Sequence, residues 1–274
     1  MGVVFSTNTI LPKIWALFYV FNERYFRNLG LLFTRKMLET LREPSWVIAG
    51  LSTPLLYLAL FFPLLKNLNS PIFGSGEVLD IFLPGLLALI AFGSGVGAGW
   101  GVIFELQSGV IERLRVTPTR RFSLLMGSVL RDTVMFIVPA LLVIIVASFF
   151  GFQPHWGGTL VLIVLQSLLT VIVSAISGSL GLILKDIGSL AAIVTSFQLP
   201  IMLLSGVLLP ISLGPNWLQI VAHFNPMYYV VEASRILAEG VIAHQQVWLA
   251  FFIIIPLTVI VLWWSTRVYS KYVA

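Results

Sequence analysis

Six long apolar stretches alternate with short polar segments along this chain, at residues 46–65, 81–104, 122–150, 160–184, 190–210 and 247–265. A bilayer core about 30 Å thick takes about 20 residues of helix to cross, so each stretch predicts a membrane span. The third is over-long and carries Arg131 and Asp132 early, so its first residues, 122–129, are expected to be partly interfacial. Pro54, Pro63, Pro84, Pro139, Pro200 and Pro256 fall inside the stretches. Neighbouring helices in a membrane re-satisfy the carbonyls a proline frees, so these predict kinks and not chain breaks.

Between and before the spans the period changes. Residues 28–43 place Leu29, Phe33, Met37 and Leu41 on one helical ridge, with Arg35, Lys36, Glu39 and Arg42 mostly elsewhere, and Glu43-Pro44 ends the pattern. This reads as a helix lying in the interface, with a plain linker helix as the alternative. Residues 105–118 are short, charged on one side and apolar on the other, and end at a proline. Such a helix between two spans is either a lever for a soluble partner or an anchor for the loop. Near the end, Asn225-Pro226 resembles an N-cap with proline at the first helical position, and Gly240 a C-terminal glycine. Met227, Val230, Val231, Ser234 and Leu237 would share one face, and Glu232, Arg235 and Glu239 could pair on another. The segment 212–246 is therefore expected to hold short helices dipping into the outer leaflet.

Charge supplies the orientation. Of the 16 basic residues, all but Lys66 and Arg235 fall on the N-terminal segment, the second and fourth connections with the adjoining start of the third span, and the C-terminal tail. By the positive-inside rule those segments, and both termini, are cytoplasmic. Trp46, Trp100, Trp156, Trp248, Trp263 and Trp264 lie at or near span ends, where the amphipathic indole prefers the interface. The stretch 10–21 is about the length of a signal core, but Lys13 interrupts it and Asn22-Glu23-Arg24 follows, so a cleaved signal is not expected.

Composition removes the soluble classes. Charged residues are 10% of the 274 and hydrophobic ones 58%, against about 25% charged in soluble domains. The net charge of +5 has no long basic face or readout motif behind it, which argues against a nucleic-acid partner. Cysteine is absent, so disulfides, thiolate metal sites and cysteine nucleophiles are excluded. His155, His223 and His244 lack zinc spacing, and no serine sits in a nucleophile-elbow pattern, so neither a metal site nor catalytic residues are expected. The run Gly93–Gly101 lacks the Lys-Ser/Thr of a phosphate loop and lies within a span. Gly93, Gly97 and Gly101 recur every fourth position, which suits close helix packing. Mid-span polarity is neutral, with Gln166, Ser167, Thr170, Ser174 and Ser177 on the fourth span and Thr195, Ser196 and Gln198 on the fifth. Gln166, Thr170, Ser174 and Gln198 could line a path for an amphiphilic cargo or serve helix packing. An ion channel or secondary transporter would want mid-span charge or inverted repeats. A membrane enzyme would want clustered acids, histidines or metal ligands at one depth. Neither set is found.

Two stretches resemble the type-2 ABC exporter permeases, the branch with daunorubicin-resistance and nodulation permeases. One is Gly109-x-x-Glu112-Arg113-Leu114, Thr117-Pro118 and Leu124-Leu125-x-Gly127. The other is Leu204-Ser205-Gly206, Pro210, Pro215-x-Trp217-Leu218, Asn225-Pro226-Met227 and Glu232-Ala233-x-x-Arg235. The resemblance implies an all-α integral membrane protein of six transmembrane helices. It adds an N-terminal interfacial helix, a cytoplasmic coupling helix and outer re-entrant helices before the last span, these last built on Asn225, Pro226, Glu232 and Arg235. The layout would be an extension at 1–27, the interfacial helix at 28–44 and the permease domain at 45–274. It implies a transport subunit in the cell's inner (plasma) membrane, working as a dimer, most simply a homodimer. ATP and Mg would bind a separate ABC ATPase present in two copies; this chain has no Walker motif and no cofactor of its own. By the same resemblance Glu105, Gly109, Glu112, Arg113 and Arg115 would be coupling positions, and the helix carrying Arg35, Lys36 and Arg42 a second ATPase contact. The cargo implied is amphiphilic, drug-like or lipid-like, with polysaccharide or lipid-linked glycan as the alternative. Reporter fusions at Ser70, Gly157 and Gly240 are expected to read outside and one at Thr119 inside. An outside signal at Thr119 would contradict this topology.

Overall fold

The computed structural model describes residues 27–66, 78–115, 121–207 and 211–272, with backbone alone at 44–47, 49, 61–66, 114, 115 and 213. The described residues are helical, with no strand among them. In chain order the helices are α1 (27–42), α2 (Pro44–Lys66), α3 (Val78–Gln107), α4 (Val110–Arg115), α5 (Arg121–Phe149), α6 (Trp156–Leu184), α7 (Ile187–Leu204), a 3-10 turn at Ile211–Leu213, α8 (Asn216–Ala222), α9 (Pro226–Ala238) and α10 (Gln245–Tyr272). Among the described residues five helices are long and apolar enough to cross a membrane: Leu79–Gln107, Arg121–Phe149, Trp156–Leu184, Ile187–Leu204 and Gln245–Tyr272. The first apolar stretch of the sequence forms α2, whose described apolar part is Gly50–Leu60. Residues 1–26, and with them all but the last residue of the N-terminal extension, lie outside the described residues.

The helices run through Pro54, Pro63, Pro84, Pro139, Pro200 and Pro256 without a break. α5 is one helix of 29 residues, about 43 Å at 1.5 Å per residue, longer than the hydrocarbon core. In its first turns Ser123, Leu125, Gly127, Ser128 and Val129 are buried within the protein, and Leu32 of α1 lies over Gly127.

α3 and α6 make the most extensive contact in the bundle, and small residues let their backbones approach. A Cβ at Gly95 would lie 2.8–2.9 Å from Val173 Cβ, Ser174 N and Thr170 O. One at Gly99 would lie 2.6–2.8 Å from Ser177 and Leu190, and one at Gly181 would lie 2.6 Å from Gly99 O. The sequence pattern pointed instead to Gly93, Gly97 and Gly101. Gly93 and Gly97 face open space, and Gly101 meets only the Arg131 guanidinium, at 3.7 Å from its hypothetical Cβ. Two positions along a helix are about 200° around it, so the two glycine ridges lie on nearly opposite faces, and spacing alone does not say which one meets α6.

The polar stripe of α6 closes the same seam. Gln166 Nε2 donates to Pro84 O (3.0 Å), Thr170 Oγ1 to Ala91 O (3.1 Å) and Ser177 Oγ to Val96 O (2.7 Å). Ser177 Oγ also accepts from Gly99 N at 3.1 Å. On the far side of α6, Ser265 of α10 donates to Ala175 O at 3.0 Å. α9 packs among α3, α6 and α10 through Met227, Val230, Val231, Ala233, Ser234, Leu237 and Ala238, all buried. This is the apolar face read from the sequence, with two alanines added.

The glycine geometry separates close positions. Gly99→Ala and Gly181→Ala are each expected to destabilise the protein by about 1–3 kcal/mol, the usual cost of overpacking. Gly97→Ala is expected to be neutral or to stabilise by about 0.5–1 kcal/mol through helix propensity. Thermal unfolding in detergent compares the three; equal behaviour of Gly97→Ala and Gly99→Ala would contradict the seam.

Candidate functional site

One corner of the molecule joins α1, the end of α3, α4 and the start of α5. α3 ends at Gln107. Ser108 N donates to Phe104 O (2.9 Å) and Gly109 N to Leu106 O (3.2 Å), with Gly109 at φ +70°. That left-handed conformation is cheap only for glycine, and it lets α4 start at the next residue. Arg113 N then donates to Gly109 O at 3.3 Å. Within α4 the buried Ile111 turns inward and Glu112 and Arg113 are exposed. Glu112 stands in the first turn, where the helix dipole favours a carboxylate. For Arg115 the backbone alone is described.

Glu105 does not share the outward face of Glu112 and Arg113. It belongs to the last turn of α3 and faces α1. Its Oε2 lies 2.7 Å from Lys36 Nζ, and its Oε1 accepts from Arg35 Nη2 at 3.2 Å. The Lys36 and Glu105 side chains are only 10% and 14% exposed. Arg35 also pairs with Glu39 at 2.9 Å, one turn along α1. Removing one partner of a buried ion pair costs about 3–5 kcal/mol, whereas an exposed i,i+4 pair contributes roughly 0.3–0.5 kcal/mol. The Lys36–Glu105 contact is therefore the costlier of the two to break. Gly127 completes the seat: a Cβ there would lie 3.1 Å from Leu32 Cβ of α1. Arg42 stands apart, exposed at the end of α1.

Deeper in the bundle Arg131 and Asp132 pair with each other through Oδ1. Ser174 of α6 donates to Asp132 Oδ2 at 2.5 Å. Ser174 is thus the third member of a buried polar cluster, a role its position in a run of neutral residues did not reveal.

The four residues weighed as path lining separate. Gln166, Thr170 and Ser174 are buried against α3, α9 and α5, with Gln166 Nε2 also reaching Ser234 Oγ at 3.1 Å. Gln198 lies apart on α7, half-buried, beside Met202 of its own helix.

At the opposite end, the second sequence motif comes together. Asn225 caps α9, its Oδ1 accepting from Met227 N at 3.0 Å while Nδ2 donates to Ile201 O of α7 at 2.7 Å. Pro226 occupies the first helical position, where its missing N–H costs nothing. Arg235, buried, pairs with Glu232 at 2.6 Å and donates to Gly206 O at 2.5 Å and Ile81 O at 3.4 Å. One guanidinium thus ties α9 to the end of α7 and the start of α3. Glu239 is instead the C-cap of α9. No group of three or more His, Cys, Asp or Glu side chains suited to a metal ion occurs among the described residues.

Both motif regions lie within the part of the chain, residues 27–238, that matches the family model described as ABC-2 type transporter. The chain belongs to the ABC-2 type transporter family. The match begins with α1 and ends with α9. The permease is 30% identical over 216 residues to a protein of Cyanophora paradoxa named transport permease ycf38, covering 78% of this chain and 74% of that one. It is 25% identical over 209 residues to the daunorubicin resistance ABC transporter permease protein DrrB1 of Streptomyces coeruleorubidus, covering 75% and 73%. It is 26% identical over 200 residues to the inner membrane transport permease YadH of Escherichia coli K12, covering 69% and 75%. The permease is accordingly a multi-pass membrane transport protein and not itself an enzyme.

Proposed function

We propose that the chain is the membrane subunit of an ATP-driven exporter in the inner (plasma) membrane, with six spans and both termini cytoplasmic. ATP and Mg are bound by a separate ABC ATPase, two copies of which serve two copies of this permease. The observation that carries the reading is α4. It is a six-residue helix between two long apolar helices, seated by Ile111 and presenting Glu112 and Arg113 outward. A partner gripping that helix displaces α3 directly, because only Ser108 and Gly109 separate the two. Glu105 has a different part: through Lys36 and Arg35 it makes α1 move with the end of α3. Arg42, exposed at the end of α1, extends the basic surface available to the ATPase.

Gln166 Nε2, Thr170 and Ser174 make their hydrogen bonds to neighbouring helices of the same copy, which supports a path that lies elsewhere. The path then runs between copies, where Gln198 on the sparsely buried α7 is the candidate lining residue. The cargo is an amphiphilic, drug-like or lipid-like molecule, a reading supported by the daunorubicin-resistance relative and by the neutral polarity of the spans.

Glu112→Lys and Arg113→Glu test the role of α4. Reversing a charge within a desolvated interfacial pair costs about 2–5 kcal/mol, and a rim charge little. Co-purification with the ATPase and coupled transport are expected to fall in both variants while insertion is retained. Wild-type assembly, hydrolysis and export in both would make α4 an anchor only.

A further inference from the structure

The bundle end where α6 stops and α10 ends carries three exposed cations that neither the packing nor the ATPase contact uses: Lys185, Arg267 and Lys271. None of them forms a salt bridge with a carboxylate among the described residues. Lys185 closes α6 at φ 56°, the one non-glycine residue with positive φ among those described, and its N–H donates to Gly181 O at 3.0 Å. That conformation is strained for a lysine, and it holds the side chain against α10. Lys185 Nζ lies 5.7 Å from the centroid of the Tyr272 ring, and Lys271 Nζ lies 5.8 Å from the same centroid. Two ammonium groups from different helices are thus gathered around one aromatic ring. Arg267, one turn before Lys271, places its guanidinium carbon 3.7 Å from the centroid of Trp263, one turn earlier again.

The nearest carboxylate in sequence is engaged elsewhere. Asp186 caps α7, accepting from Ser189 N at 2.7 Å and Ser189 Oγ at 2.8 Å. The backbone hydrogen bond from Ser189 holds this carboxyl below the usual range. Its charge therefore faces the positive end of α7 and forms no salt bridge with the three cations.

We propose that Lys185, Arg267 and Lys271, framed by Tyr272 and Trp263, bind the phosphate headgroup of an anionic phospholipid in the leaflet at this end of the bundle. Depth selects a lipid over an acidic protein. Trp263 and Trp264 are exposed near the end of an apolar helix, the place an indole takes at the headgroup level. Arg267 folds back along α10 onto Trp263, so its charge is held toward the bilayer and not out into solution. Ser265 and Tyr269 face α6 and are buried, which leaves the Trp263–Arg267–Lys271 ridge, at i, i+4 and i+8, turned to the lipid. The ring of Tyr272 and the indole of Trp263 supply the walls, and the three cations supply the charge. An interfacial cation contributes about 1 kcal/mol of attraction to an anionic leaflet, which is roughly fivefold in affinity per cation.

Native mass spectrometry of the full chain, released from nanodiscs containing equal phosphatidylglycerol and phosphatidylcholine, tests this. The wild type is expected to retain phosphatidylglycerol in preference. Lys185→Gln with Lys271→Gln is expected to reduce that preference by more than tenfold, and adding Arg267→Gln to abolish it. Lys185→Arg with Lys271→Arg keeps the charge and is expected to keep the preference, which separates charge from folding. Arg113→Gln, an exposed cation on α4, is expected to leave it unchanged. Equal retention of the two lipids by the wild type would overturn the proposal. So would an unchanged preference in the triple variant combined with lost co-purification of an ATPase, which would make the patch a protein contact.

Discussion

Hydrocarbon offers no partner to a backbone or side-chain polar group, and this bundle answers that constraint most repeatedly at the contact of α3 with α6. Gly95, Gly99 and Gly181 remove the side chains that would hold the two helices apart. Gln166, Thr170 and Ser177 then reach the carbonyls of α3 directly. Each hydrogen bond of this kind is worth about 0.6 kcal/mol in a membrane, so the seam owes its strength to repetition and to the close contact that the glycines allow. Its consequence is mechanical. α3 is held along much of its length against the centre of the bundle, and whatever displaces its last turn displaces the bundle.

That last turn carries Glu105, and the pairing of Glu105 with Lys36 and Arg35 extends the rigid unit outward to α1. Gly127 under Leu32 fixes where α1 lies. Gly109 then redirects the chain into α4 without an intervening loop. α1, the end of α3 and α4 therefore form one continuous piece with two surfaces. One is clamped to α3 by buried charge; the other carries the exposed Glu112 and Arg113. At the far end Arg235 and Asn225 make a second brace, joining α9 to α3 and α7 through backbone carbonyls. Both ends are thus tied to α3.

Much of this was readable from residue pattern. Five of the six apolar runs correspond to helices long and apolar enough to cross a membrane, because length and hydropathy decide that almost alone; of the first, only the shorter apolar part Gly50–Leu60 is described. Asn225-Pro226 and Gly240 placed the ends of α9, because capping chemistry is local. The α9 face of Met227, Val230, Val231, Ser234 and Leu237 followed from helical period. What escaped were choices among equivalent faces and partners distant in sequence. The ridge Gly93–Gly97–Gly101 and the ridge Gly95–Gly99 have the same spacing, and only the position of α6 separates them. Glu105 resembled Glu112 as one more acid in a charged segment. Its partners lie some 70 positions away in sequence, and no local signal distinguishes an inward carboxylate from an outward one. Ser174 was grouped with neutral span residues because its partner, Asp132, sits on another helix.

Glu105 is expected to hold α1 and the end of α3, with α4 attached, as one rigid piece. The chain has no cysteine, so spin labels attached at Leu38→Cys and Ser108→Cys, both exposed positions, report the α1–α3 end distance without background. In the assembled transporter that distance is expected to stay narrowly distributed with and without nucleotide. With Glu105→Gln added, it is expected to broaden. A broad distribution in the otherwise wild-type protein, or an unchanged narrow one with Glu105→Gln, would contradict the account.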